Sequence, residues 1–408
     1  MLGPWLPTTR RPLANERLHQ FARHLAKDHR LTLACATDHP NPIGAVSALR
    51  EQFDDLEFAV VPNRWKRLWS VAHLAVGSSA EVAYFDSAAL RTRIRDRLRS
   101  TAFDLVYVTS TSMIPYALEL GPAVPVVLDF GDLDSEWWRE RSHRYSGLKA
   151  KVYEAEAKRL RSVEIMGARH ATRCLVATPQ AAKLVAAFAP STDVTVIAEG
   201  MDPELPASAS RPGAPHTIAF SPCLGPDTEG RAAAEFCDEV LPRVRTRVGR
   251  TKLLVGCTSL FPLARRLANM PGVEVLAPTS NIRSLLRRAM VAVAPRHLGA
   301  ETQRGLLEAM AAGVPVVTTP EGLDGLPLQH GREIYVEGSP AGFTERLIEL
   351  LHRPTLREAM GAKGRAFIRL HYSSTAAATR LSQVVGAAVN GGAHNGSGTN
   401  GGDPGVAR

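Results

Sequence analysis

The sequence predicts an α/β protein with two parallel-sheet domains, and three observations carry that prediction. Short apolar runs alternate with longer stretches of helical spacing over most of the chain, the pattern of buried parallel strands joined by covering helices. The alternation is interrupted at residues 199–215 (EGMDPELPASASRPGAP), where Pro, Gly, Ser and Ala crowd together as in an interdomain linker. At 408 residues the chain is long enough to bury two separate cores.

Residues 1–6 (MLGPWL) read either as the tail of a first strand or as a sign that the strand begins upstream. In the loop that follows, Arg10 and Arg11 either contact a phosphate or are solvated. Leu13, Leu18, Phe21 and Leu25 then fall on one face of a helix. Strands are expected at 31–36, 57–61, 104–109, 125–130 and 173–178. After the linker a second series is expected at 217–220, 252–256, 273–277, 290–294, 314–318 and 333–336. This assigns residues 1–203 to a first domain, 204–371 to a second and 372–389 to a terminal helix. Residues 390–408, rich in Gly, Asn and Ser, are expected to be a disordered tail.

A hydrophobic content of 45% with 22% charged residues belongs to an ordinary globular protein rather than a disordered one. No apolar run approaches the roughly 20 residues that span a bilayer. The start, MLGPWLPTTRRPL, lacks the basic beginning and apolar core of a signal peptide, so a cytoplasmic protein is expected. Five cysteines (Cys35, Cys174, Cys223, Cys237 and Cys257) have no metal-ligand spacing and read as core thiols. The net charge of +9 comes mainly from arginine, in runs at 91–99, 158–161 and 243–250. Acids within those runs and a lack of interleaved aromatics argue against nucleic acid as a partner. The runs read as solvated helix faces, or as weak peripheral attraction to the inner face of a membrane, at about 1 kcal/mol per basic residue near the surface.

Chemistry concentrates at residues 290–327, MVAVAPRHLGAETQRGLLEAMAAGVPVVTTPEGLDGLP. A strand breaks at Pro295 into a loop. The next helix carries Leu306, Leu307, Met310 and Ala311 at helical spacing, and Gly313 stands where a C-cap glycine belongs. In such a strand–loop–helix unit the loop and helix N-terminus form the ligand edge of the sheet, where unpaired N–H groups favour a phosphate. Glu308, two turns in, is placed to reach a ribose. The arrangement points to a nucleotide pocket.

The run LLEAMAAGVPVVTT resembles the donor-binding segment of GT-B glycosyltransferases, in particular the retaining enzymes of family 4. The resemblance implies two Rossmann-like parallel-sheet domains facing a cleft. It also implies a nucleotide diphosphate-sugar as co-substrate, with no metal or other cofactor. It gives Glu308 the ribose and expects a second glutamate eight residues earlier, facing the donor sugar. That position is Ala300, and Glu301 beside it is the nearest carboxylate. The family's phosphate-binding Arg and Lys fall within FSPCLGPDTEGR (220–231), where the lysine is missing and Arg231 remains, with Gly225 among the donor-binding positions. The Thr302, Gln303 and Arg304 amides with Arg296 are assigned to the phosphates; the Arg304 side chain reads equally as a surface group.

A second constellation lies in PVVLDFGDLDSEWW (125–138), with Asp129, Asp132 and Asp134 at the mouth of a strand. Asp132-Leu133-Asp134 spells the D-x-D of metal-dependent GT-A enzymes, against which the two-domain pattern and the Glu308 block both speak. Ser135, Glu136 and Trp137 either start the next helix or, with Asp132 and Asp134, face an acceptor. Ser110, Thr111 and Ser112 either bind sugar hydroxyls or cap a helix. His39, His73, His143 and His170 match no motif. Together FDLVYVTSTSMIPYA, VVLDFGDLDSEWW and YEAEAKRLRSVE resemble the glycosyltransferases associated with exosortase-type exopolysaccharide loci, over most of residues 5–385.

The expected activity is therefore sugar transfer with retention to a glycan, lipid-linked or small-molecule acceptor. Glu301 and Asp132 are the expected catalytic carboxylates, and Asp134, Ser110, Thr111, Ser112 and Arg10 belong to the acceptor side. One rival is a GT-B-like binding or scaffold protein without turnover, favoured by Ala300 and the missing lysine. An NAD-dependent oxidoreductase is the other, and no G-x-G-x-x-G follows a strand to support it.

Overall fold

The computed structural model describes residues 1–4, 12–37, 49–50, 52–60, 77–121, 124–198, 200–201, 216–225, 230–279, 282–295, 300–323 and 325–395. Most of the linker at 199–215 lies outside them. The chain divides into two compact units, one formed by Met1–Ala198 with Ala378–Arg408 and the other by Glu199–Ala377.

The first unit carries strands β1 (Leu2–Gly3), β2 (Thr32–Thr37), β3 (Asp55–Val60), β4 (Val106–Thr109), β5 (Val126–Gly131), β6 (Arg173–Val176) and β7 (Val194–Val196). They form one seven-stranded sheet in the order β3-β2-β1-β4-β5-β6-β7, with parallel pairing throughout. Its helices are α1 (Pro12–Leu25), α2 (Ala80–Phe85), α3 (Ala88–Ser100), α4 (Ile114–Leu118), α5 (Asp134–Arg144), α6 (Gly147–His170) and α7 (Pro179–Phe188). Val106, Tyr107 and Val108 on β4 and Val126, Val127 and Leu128 on β5 are all buried, as a parallel sheet covered on both faces requires. The first residues do make a strand, and a central one: Leu2 pairs with Ala34 on one side and Val108 on the other. The Met1 ammonium donates to Thr32 O at 2.6 Å, and burial pushes its pKa down to about 5.

The second unit carries β8 (Thr217–Leu224), β9 (Lys252–Cys257), β10 (Val273–Leu276), β11 (Val291–Ala294), β12 (Val316–Thr318) and β13 (Tyr335–Val336) in a six-stranded sheet ordered β10-β9-β8-β11-β12-β13. These pairs are parallel too. Around them lie α8 (Gly230–Glu235), α9 (Leu241–Arg247), α10 (Pro262–Ala268), α11 (Arg283–Leu286), α12 (Ala300–Ala311), α13 (Pro320–Leu323), α14 (Pro340–His352) and α15 (Pro354–His371). The stripe on α12 faces the core as its spacing predicts, with Leu306, Leu307, Met310 and Ala311 all buried. Gly313 has φ +71°, the left-handed conformation of a helix C-cap. Val314 N–H still bonds back to Ala309 O at 3.0 Å, which is why β12 starts at Val316 and not at 314.

A last helix, α16 (Ser374–Asn395), belongs to the first unit from Ala378 onward. Leu381, Val384, Val385 and Ala388 are buried, and His24 Nε2 lies 2.8 Å from Ser382 Oγ. The helix continues to Asn395, past residue 390 where a disordered tail was expected, following directly on turns seated by Leu381, Val384, Val385 and Ala388. Among the described residues no helix is long and apolar enough to cross a membrane.

Candidate functional site

In an open parallel sheet the ligand crevice lies beyond the carboxyl ends of the strands where the strand order reverses. In the second unit that point falls between β8 and β11. Ser221 on β8 and Gln303 near the start of α12 lie beside it, both at least 97% buried, at 1% and 3% exposure. Among the described residues neither Ser221 Oγ nor Gln303 Nε2 has a hydrogen-bond partner. Buried polar side chains are nearly always paired, so two unpaired ones at a ligand edge are what a site awaiting a polar ligand presents.

Glu308 is 9% exposed on the same helix, and its Oε1 accepts from Arg304 Nε at 3.3 Å, one turn earlier. Its charge also reaches β8: burial first, and then Glu308, push the Cys223 thiol up to about 12. The frame around the edge is tight. Thr318 donates to Ala294 O at 2.7 Å, tying the ends of β12 and β11 together. A Cβ at Gly322 would stand 2.2 Å from Thr318 Oγ1, so only glycine lets α13 approach. Arg365 donates to Ala311 O at 3.1 Å and Ala312 O at 2.9 Å, satisfying carbonyls at the C-terminal end of α12 and fixing the helix that carries Glu308. Arg304, expected at the phosphates, is therefore placed against Glu308. Gly225 directly follows β8. Glu301 and Thr302 sit in the first turn of α12 and Arg231 in α8, with side chains outside the described ones; Arg296 and Arg10 lie outside the described residues altogether.

The first unit's reversal falls between β1 and β4. Ser110, just past β4, has φ 73°, a left-handed conformation rare and costly for a side chain other than glycine. Its Oγ lies 3.0 Å from Ser112 Oγ. Thr111 and Ser112 are buried within the protein's own network, so Ser110 is the member of the trio with surface. Asp134 opens α5 and accepts Thr111 N–H at 3.3 Å; Asp132 is half-buried in the turn before it. Capping of α5 comes from a distance. Glu164 on α6 accepts Ser135 N–H at 2.9 Å and the Ser135 hydroxyl at 2.5 Å. Glu156 does the same for α2, accepting the N–H groups of Ala80 and Glu81 at 2.9 Å each and the Ser79 hydroxyl at 2.7 Å. Glu156 and Glu164 of the YEAEAKRLRSVE segment are thus helix-end anchors, carboxylates placed where the dipoles favour them.

Asp129 is an anchor as well. It is buried against Arg17 Nε at 2.8 Å and the Tyr107 hydroxyl at 2.5 Å, while Arg17 also donates to Ile197 O at 2.6 Å. Sequence reasoning missed Glu81, whose surroundings (SSAEVAYF) carry no motif beyond a helix-capping serine. Trp138 Nε1 donates to its carboxylate at 3.1 Å. Burial, followed by the neighbouring Asp134, pushes Glu81 up to about 8, and burial likewise holds Asp134 above its ordinary range. Half-buried Glu81 is therefore mostly protonated at neutral pH.

Two sheets of this topology invite comparison with known proteins. Residues 223–353 match the family described as "Glycosyl transferases group 1". Among solved structures, the chain is similar to sucrose-phosphate synthase from Thermosynechococcus elongatus (TM-score 0.63, 12% identity, 91% of this chain and 92% of that one). It is similar also to Anabaena HepE in complex with UDP and glucose (TM-score 0.62, 12% identity, 95% and 98% covered). The fold is GT-B. WaaG, a glycosyltransferase involved in lipopolysaccharide biosynthesis, superposes with TM-score 0.58 at 15% identity over 92% of this chain and 96% of that one. A curated relative, the GDP-mannose-dependent monoacylated alpha-(1-6)-phosphatidylinositol monomannoside mannosyltransferase of Corynebacterium glutamicum, is 39% identical over 80 residues. That match spans 19% of this chain and 21% of the relative, about a fifth of its length. The matches together show GT-B architecture, with a domain at residues 223–353 that matches the glycosyl transferases of group 1.

Proposed function

We propose that the protein transfers a sugar, with retention, from a nucleotide diphosphate-sugar to a glycan or lipid-linked acceptor in surface polysaccharide biosynthesis of the exosortase-associated type. The observation that carries this reading is Glu308 at the β8/β11 reversal, its charge felt at Cys223 of β8, on the same helix as Gln303, whose Nε2 has no partner among the described residues. Glu308 takes the ribose. Glycosidic cleavage builds charge on the departing diphosphate, which the first-turn amides of α12 with Arg296 and Arg231 stabilise in place of a metal. On the acceptor side Asp132 and Ser110 offer surface at the β1/β4 reversal, beside a protonated Glu81 able to donate a hydrogen bond. The Corynebacterium relative, a phosphatidylinositol monomannoside mannosyltransferase, and WaaG, involved in lipopolysaccharide biosynthesis, support a cytoplasmic protein working at the membrane's inner face.

A thermal-shift panel of UDP-, GDP-, ADP- and TDP-sugars tests the donor site. At least one should raise the midpoint, and Glu308→Ala should abolish that shift; a shift that persists in the variant would sink the assignment. Product formation should be unchanged by a chelator, and loss of turnover on chelation would overturn metal independence. The position of Ala300 and the Arg304–Glu308 pair favour a second reading, a binding protein without turnover. Donors that stabilise the protein while neither transfer nor hydrolysis is measurable would select it.

A further inference from the structure

Helices α5 and α6 form an antiparallel hairpin at the ligand edge of the first sheet. Side-chain contacts fix its register: Ser135 meets Glu164, Glu136 meets Arg161, and Trp138 meets Tyr153. Strand β6, which follows α6, starts level with Val127 of β5. From there β5 climbs about 15 Å to the sheet edge at roughly 3.3 Å per residue. α6 retraces that distance in about ten residues at 1.5 Å each. The remaining part of α6, with α5 alongside, therefore stands beyond the edge by about 16 Å, the length of α5.

The projecting end has an unusual surface. Leu148 is 79% exposed and Trp137 is 48% exposed. Residues 143, 146–149 and 151 are exposed with them. Across 137–153 (WWRERSHRYSGLKAKVY) five basic residues, Arg139, Arg141, Arg144, Lys149 and Lys151, stand against one acid, Glu140. Aromatic rings line the same tip: Trp137, Trp138, Tyr153 and Tyr145 touch edge to face at 5.1, 5.1 and 5.4 Å. The cations lie on those rings, Arg141 at 3.6 Å from Trp137 and Lys149 at 3.5 Å from Tyr145. A protein-binding surface is generally depleted in lysine. Exposed leucine and tryptophan rimmed by lysine and arginine is instead the composition that settles at a lipid headgroup boundary, apolar body inward and charge at the phosphates.

We propose that this hairpin tip, with Leu148, Lys149 and Lys151 at its end and Trp137 on its flank, docks the protein onto an anionic lipid bilayer. The inference rests on the proposed function only in placing the acceptor at a membrane. Leu148 inserts among the headgroups, the lysines meet lipid phosphates, and the acceptor-side edge at Ser110 and Asp132 lies at the base of the same hairpin.

Sedimentation of the full chain with vesicles tests it. Phosphatidylcholine vesicles containing phosphatidylglycerol should carry the protein down, pure phosphatidylcholine should not, and added salt should release it. The Lys149→Glu/Lys151→Glu variant should bind at least about fivefold more weakly per lysine, from about 1 kcal/mol for each basic residue near the surface. Leu148→Asp should weaken binding as well. The same charge change on exposed helix α15, Lys363→Glu/Arg369→Glu, should leave binding within twofold. All these positions are exposed, and an unchanged thermal midpoint confirms that each variant folds. Absence of binding to anionic vesicles, or hairpin variants that sediment like the wild type, would overturn the proposal. A concentration-dependent dimer lost in Leu148→Asp, without vesicle binding, would assign the tip to a second copy and overturn it equally. Stabilisation by nucleotide sugars should persist in every hairpin variant, so failure here is distinct from failure of the donor site.

Discussion

The two ligand edges solve the same topological problem in opposite ways. At the β1/β4 reversal of the first unit, the buried acids and hydroxyls bond to one another and to helix ends: Glu156 and Glu164 cap α2 and α5, and Asp129 holds Arg17 and Tyr107. At the β8/β11 reversal of the second unit, Ser221 Oγ and Gln303 Nε2 are buried without partners among the described residues. A satisfied network gives up little by staying empty, whereas an unsatisfied group costs roughly 1–3 kcal/mol until a ligand pairs it. The first edge is therefore braced by its own pairs, and the second holds buried groups that a ligand can pair.

The first test addresses the second edge directly. Glu308→Ala should lower kcat/KM for any accepted donor by about ten- to a hundredfold, the loss of a charged hydrogen bond worth roughly 1.5–3 kcal/mol. A donor-independent loss of folding instead would mean that Glu308 serves α12 rather than the ligand. Next, Arg17→Ala strips Asp129 of its buried partner, and urea unfolding followed by circular dichroism should register a loss of about 3 kcal/mol or more. Donor-induced stabilisation should survive that change, because Arg17 lies in the other unit.

Smaller effects separate strain from structure. Ser221→Ala removes an unpaired buried hydroxyl, so the apo protein should gain up to about 1 kcal/mol while donor affinity falls by a similar amount. A loss on both counts would show that Ser221 is satisfied within the protein and that the contrast between the edges is false. The last effect is a pH dependence carried by Glu81. Its carboxyl, ordinarily at 4.5, is pushed up to about 8 in the folded protein, so folding binds this proton. The stability it contributes is full below about pH 4.5 and is lost as pH rises toward 8. The thermal midpoint should decline across that window, and Glu81→Gln should flatten the decline; an unchanged profile would remove Glu81 from the acid cluster.

Much of this architecture was legible in the residues. The α12 stripe, the Gly313 cap and the strands on either side follow from periodicity and glycine chemistry, which act over a few residues. β1 and β7 were harder, because Leu2–Gly3 and Val194–Val196 are too short to display a period and exist only through the strands beside them. Thr111 and Ser112 read as candidate ligands from their position after β4, yet they point into the fold, since their burial depends on α6 crossing behind them.

By itself, then, the sequence determined two parallel-sheet units, a strand–loop–helix with Glu308 on it, and the order of both, because each is written in local spacing. Only the tertiary structure decided which acids are free to act and which are spent as anchors. It alone moved Glu81 into the acid cluster, set Arg304 against Glu308, and projected the Trp137–Leu148 hairpin beyond the sheet. Those outcomes depend on pairings between residues far apart in the chain, and burial and charge at such contacts have no signature in the residues taken one stretch at a time.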